Sequence, residues 1–102
     1  MTFEYVQTWM VREGYEDEHD ALLKSWILKI GGNPSLRSVR FPPTPRSLPR
    51  KRILVYVFED VHAWRRFREE TLDELRAFVR QWLQLIELDT FRIFFWRDHE
   101  ND

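Results

Sequence analysis

The chain has 102 residues, room for one ordinary domain and too few for a second independent core. Hydrophobic residues make up 43% and charged residues 32%, a globular composition that excludes a disordered or fibrous chain. Sixteen Lys and Arg against seventeen Asp and Glu leave a net charge of -1, which argues against coating nucleic acid or anionic lipid, and the absence of Cys excludes disulfide frameworks, thiolate zinc sites and cysteine nucleophiles. A cysteine-free chain suits a reducing cytoplasm, the expected compartment, and neither an export signal nor an apolar run of membrane-spanning length is seen.

Phe3 to Arg12 alternates with period two and predicts a first strand, with Phe3, Tyr5, Gln7, Trp9 and Val11 on one face and Val6, Thr8 and Met10 on the other. Gly14 breaks it. Glu16, Asp17, Glu18 and Asp20 then supply the negative charge that a helix N-terminus favours, and Leu22, Leu23, Trp26, Ile27 and Ile30 recur at helical spacing. Gly31 and Gly32 stand where a left-handed C-cap is expected. Ser35 to Phe41 predicts a short strand ended by Pro42 and Pro43, and Arg52 to Glu59 predicts a strand rich in Ile, Val, Tyr and Phe. Asp60 is a good N-cap for a long helix whose stripe runs through Val61, Trp64, Phe67, Leu72, Leu75, Val79, Trp82, Leu83 and Ile86. Thr71 and Glu74 form a capping-box pattern inside that stripe, where the helix is expected to be interrupted or to restart. Phe91 to Arg97 predicts the last strand, and residues 98–102 read as a frayed acidic tail of the single domain spanning 1–102.

Strand, helix, strand, strand, helix, strand is the ferredoxin-like βαββαβ order, a four-stranded antiparallel sheet with two helices on one face. The third strand places Ile53, Val55 and Val57 against Leu54, Tyr56 and Phe58. The fourth places Phe91, Ile93 and Phe95 against Phe94 and Trp96, so both faces are apolar. A solvated face should be polar, so something besides the helices covers the second face, and the expected cover is a second copy of the chain.

With Leu54 to Phe58 running into Glu59 and Asp60 and an aromatic helix start at Trp64, this order resembles the dimeric α/β-barrel superfamily, which includes antibiotic-biosynthesis-type monooxygenases and haem-degrading enzymes. The resemblance implies a homodimer joined through the open sheet face, a small aromatic or polyketide-like ligand, and cofactor-independent oxygenase activity. Haem-degrading members use an Asn on the first strand and a Trp and a His on the second long helix. Here the first strand offers Gln7, Trp64 matches the Trp, and Arg65 to Leu88 contains no His. Two of three positions fail, and no cofactor is expected.

The aliphatic faces are expected to lie under the helices. That would leave Tyr5, Gln7, Trp9, Arg40, Tyr56, Phe58, Arg92, Phe94 and Trp96 on the open face. An aromatic-walled cavity with Gln and Arg anchors suits a flat, partly anionic molecule, so Tyr5, Gln7, Trp9, Arg40, Tyr56, Arg92, Phe94 and Trp96 are the candidate ligand-binding residues. The plainer alternative is that these aromatics are consumed by the dimer interface. No residue stands out as a general base. Glu16 to Asp20, with His19 among them, point around a helix axis rather than converging, so no metal site is expected. Nucleophile motifs and phosphate-binding loops are absent from the sequence.

Leu36 to Arg52 carries Arg37, Arg40, Arg46, Arg50, Lys51 and Arg52 with no acid. This basic hairpin supports the alternative function, a non-catalytic dimeric module docking a protein or nucleic acid. The RNA-recognition-motif fold shares the topology, but its third strand needs aromatic rings for base stacking where this chain has Ile53 and Val55, which disfavours RNA.

Overall fold

The computed structural model describes residues 2–97. The elements are β1 (Phe3–Val11), α1 (Glu16–Ile30), β2 (Ser38–Arg40), β3 (Lys51–Phe58), α2 (Val61–Glu70), α3 (Leu72–Trp82) and β4 (Ile86–Arg97). The strands form one antiparallel sheet in the order β2-β3-β1-β4, the expected ferredoxin-like arrangement. The expected tail at 98–102 lies outside the described residues.

Three helical segments stand where two helices are predicted. The second breaks at Thr71, as the sequence pattern indicates, but no capping box forms. The Thr71 hydroxyl instead donates back to the Phe67 carbonyl at 2.7 Å, while the Thr71 carbonyl still accepts from the Leu75 amide at 2.8 Å. A threonine bonding backward within a helix competes with the regular ladder and bends it. Asp60 caps α2 as expected, its carboxylate accepting from the Ala63 amide at 2.8 Å. At the end of α1, Gly31 is right-handed rather than left-handed. The left-handed glycine is Gly14, at φ 88° in the turn leaving β1.

β4 is longer than predicted. It begins at Ile86, which leaves the helical stripe for the sheet, and its register against β1 shifts between Thr8 and Met10. There the Met10 amide donates to the Thr90 hydroxyl at 2.9 Å, so an irregular pairing keeps its backbone donor satisfied.

The register settles which side chains share a face. Tyr5 lies opposite Tyr56 on one side and Phe95 on the other, while Val6 lies opposite Val55 and Phe94. The Tyr5 row faces the helices: Tyr56 bonds Trp26 of α1, and Tyr5 packs on Trp64 of α2. The core therefore joins Phe3, Trp9, Leu54, Tyr56 and Phe58 to Leu23, Trp26, Phe67 and Trp82. This overturns the expectation that aliphatic strand residues lie under the helices. The helix stripes are themselves aromatic, and large rings from both layers pack against one another between sheet and helices. Val6, Thr8, Met10, Ile53, Val55 and Val57 line the open face instead, joined from β4 by Arg92, Phe94 and Trp96.

Candidate functional site

Between the sheet and the helices lies a cavity of about 60 Å³. Its floor is Tyr5 and Gln7 of β1 with Tyr56 and Phe58 of β3, all of one strand parity. Its roof is Trp26 of α1, Leu75 of α3, and Trp64, Phe67 and Arg68 of α2. Trp64, Phe67 and Arg68 stand at i, i+3 and i+4, so the Asp60 cap that starts α2 brings all three onto one helix face. Trp64 is held by rings on three sides, with centroids 5.6 Å from Phe3, 5.8 Å from Tyr5 and 5.2 Å from Phe95.

The polar groups of the lining are partly engaged with one another. The Gln7 amide nitrogen donates to the Tyr5 hydroxyl at 3.2 Å, and the Trp26 indole N–H donates to the Tyr56 hydroxyl at 3.0 Å. Both phenol oxygens act as acceptors in these bonds, so each keeps an O–H to donate. Burial pushes the Tyr56 phenol well above its ordinary value, against the opposing effect of the Trp26 bond, and keeps it neutral. The lining contains no Asp, Glu or His. It can therefore wall, orient and hydrogen-bond a flat molecule, and it offers a single cation, Arg68.

Of the eight candidate residues, Tyr5, Gln7 and Tyr56 come together here, but under the helices and not on the open face. Trp9 shares their parity yet is sealed in the core, at 1% exposure, bonded to His19. Arg40, Arg92, Phe94 and Trp96 lie across the sheet from the cavity. Arg40 pairs with Glu4, and Arg92 donates to the carbonyls of Asp89 and Phe91. The eight thus do not form one pocket, because β1 and β3 turn the opposite parity to the helices from the one expected. Sequence reasoning missed Trp26, Phe67, Arg68 and Leu75 as lining, and Trp64 entered it only through the haem comparison. Their signal was the helical spacing of aromatic residues.

A second polar cluster was not anticipated. His19, fully buried, accepts from the Trp9 indole N–H through Nε2 at 2.9 Å, which leaves Nδ1 to donate to Asp20 at 3.0 Å. Arg52 holds both Asp20 oxygens, Nε at 2.9 Å and a terminal nitrogen at 3.1 Å. Burial lowers the His19 pKa in spite of Asp20. Burial also resists ionisation of Asp20, but the bonds from Arg52 and His19 outweigh it and lower its pKa. Asp20 is thus spent internally, and so is part of the basic hairpin: Arg40 pairs with Glu4, Arg50 with Glu87 and Arg52 with Asp20.

With this geometry in view, solved structures identify the fold. SnoaB of Streptomyces nogalater, a cofactor-independent oxygenase, superposes with a TM-score of 0.80 at 13% identity, over 98% of this chain and 95% of its own. Rv0793 of Mycobacterium tuberculosis gives 0.80 at 13%, over 99% and 98%. A Bordetella bronchiseptica protein described as an antibiotic biosynthesis monooxygenase gives 0.72 at 16%, over 96% and 97%. The chain shares their fold. It is the ferredoxin-like arrangement expected from the order of the elements. No family model and no curated protein matches the chain. Among the described residues, no helix is long and apolar enough to cross a membrane.

Proposed function

We propose that this protein binds a small aromatic or polyketide-like molecule in the cavity between sheet and helices and oxidises it with molecular oxygen, without a cofactor. The observation that carries the reading is the lining: six aromatic residues, Tyr5, Trp26, Tyr56, Phe58, Trp64 and Phe67, around the Gln7 amide and the two phenol hydroxyls. The oxygenase reaction is taken from the shared fold of SnoaB and is argued by that analogy. A reaction of this class needs an electron-rich substrate that supplies all the electrons. In an anthrone, for example, the ring CH₂ becomes C=O, one oxygen atom enters the carbon, and the other leaves as water with the two hydrogens. Because no lining residue is a base near neutral pH, the substrate must ionise through its own acidity, as a polyphenol does.

The reading includes a homodimer. β4 exposes apolar side chains on both faces, Ile93 and Phe95 on one and Phe94 and Trp96 on the other, at 44–64% exposure. The open face carries β-branched side chains on β1 and β3 beside the rings of Phe94 and Trp96, an apolar surface suited to lie against a second sheet. The non-catalytic docking reading is weakened, since Arg40, Arg50 and Arg52 of its basic hairpin already have acidic partners.

The test is oxygen uptake with a hydroxylated anthrone, followed by the appearance of the quinone. Turnover above the autoxidation rate, reduced at least tenfold in Trp64→Ala, is the expected result. Saturable quenching of Trp fluorescence without oxygen uptake would leave a binding protein and overturn the oxygenase. The absence of both quenching and turnover would overturn the site.

A further inference from the structure

Arg68 borders two cavities. The inner one, described above, has about 60 Å³, less than the roughly 150 Å³ void that holds a single benzene. The outer one has about 330 Å³, lies where α2 gives way to α3, and is bounded by Arg65, Arg68, Glu69, Leu72 and Leu75. It is large enough for a drug-sized ligand, which the inner cavity is not. Arg68 and Leu75 line both and so stand where the two cavities adjoin, as a partition of side chains. A ring system seated in the outer cavity can therefore reach Tyr5, Gln7 and Tyr56 if these two side chains move aside.

The two side chains of the partition differ in how firmly they are held. Leu75 is half-buried against the core. Arg68 is exposed, its guanidinium carbon 4.9 Å from the centre of the Trp64 ring, and no carboxylate among the described residues pairs with it. Moving it gives up one exposed cation-π contact, and an anionic ligand would replace that contact with charge-assisted, planar hydrogen bonds. Arg65 and Arg68 against Glu69 leave the outer cavity with an excess of positive charge. Resting on the reading of the aromatic cavity given above, we infer that Arg68 sets the ligand class: a fused-ring aromatic anion, an ionised phenol or carboxylate, bound through its charge at Arg68 with its rings entering past Trp64.

A matched pair of probes separates charge from ring. Trp fluorescence titrations of the whole chain with 2-naphthoate and its neutral methyl ester should show the anion binding about tenfold tighter. Arg68→Gln should abolish that preference and leave the ester unchanged. Arg68→Lys, which keeps the charge without the planar fork, should retain part of it, and Arg65→Gln should reduce it less than Arg68→Gln. Circular dichroism of each variant matching the wild type establishes that the fold is intact. Equal affinity of the wild type for naphthoate and ester, or a preference that survives Arg68→Gln, overturns the assignment of Arg68 while the aromatic cavity stands. Saturable quenching by neither probe overturns the cavity reading and this inference with it.

Discussion

On the helix-covered face of the sheet, Trp9 and Leu54 are 1% exposed and Phe58 is fully buried, whereas on the open face Phe94 and Trp96 are 55% and 64% exposed. Both faces are apolar in the sequence, and aromatic residues occur on both. Residue type alone therefore does not say which face a strand turns to its helices. Shape does: the α1, α2 and α3 stripes present Trp26, Trp64, Phe67 and Trp82, which meet Tyr56, Tyr5, Phe58 and Trp9 of the strands, with Phe78 stacked between Trp26 and Trp82. On the covered face the Trp9 indole bonds His19 and the Trp26 indole bonds Tyr56, whereas the buried Trp82 indole N–H has no partner among the described residues. The open face keeps short β-branched side chains on β1 and β3 and leaves its large rings on the edge strand β4.

The largest effect should come from removing one ring from each face. Trp9→Ala should destabilise the fold by about 3–5 kcal/mol in urea unfolding, since it opens a core cavity and strands buried His19. Trp96→Ala should change the stability of the isolated subunit by less than about 0.5 kcal/mol. Similar costs for the two would break the comparison.

Phe94→Glu sharpens it by placing a charge on the open face. The wild type should be a dimer at micromolar concentration by light scattering, and the variant a monomer with unchanged helical circular dichroism. A monomeric wild type would mean that the open face has no second copy over it.

A smaller effect distinguishes the faces by pH. His19 has its pKa lowered by burial, so below its unfolded value of 6.5 the unfolded chain binds more protons than the folded one. The His19 contribution is complete above pH 6.5 and declines as pH falls through that value, with a slope of at most about 1.4 kcal/mol per pH unit for one proton. Asp20, also lowered, adds a second loss beginning near its unfolded value of 3.8. Unfolding midpoints measured from pH 8 to pH 5 should fall on the acid side, and His19→Phe should flatten that slope. An unchanged slope in the variant would show that another group is responsible.

The periodicity of β1, the apolar run of β3, the Asp60 cap and the break at Thr71 were all legible, because each depends on neighbours within a few residues. The length of β4 was not: Ile86 fits a helical stripe as well as a strand start, and only pairing of Val11 with Ile86 decides between them. Of the candidate site, Tyr5, Gln7 and Tyr56 were legible as one set through their shared parity. Arg92, Phe94 and Trp96 were joined to them wrongly, since parity within one strand does not carry across a ladder without its register.

His19 shows the same division at a single residue. Its place in an acidic helix start reads as solvent-facing, yet the helix turns it inward against Trp9, a partner ten residues away. Sequence by itself determined the order of elements, their amphipathic character and the excess of apolar surface, since these follow from local backbone geometry and from composition. Which sheet face meets the helices, where the cavity lies, and that Arg68 borders it were decided by tertiary structure alone. The physical reason is that a strand has two apolar faces of nearly equal merit, and the choice between them is made by complementary packing with residues distant in the chain.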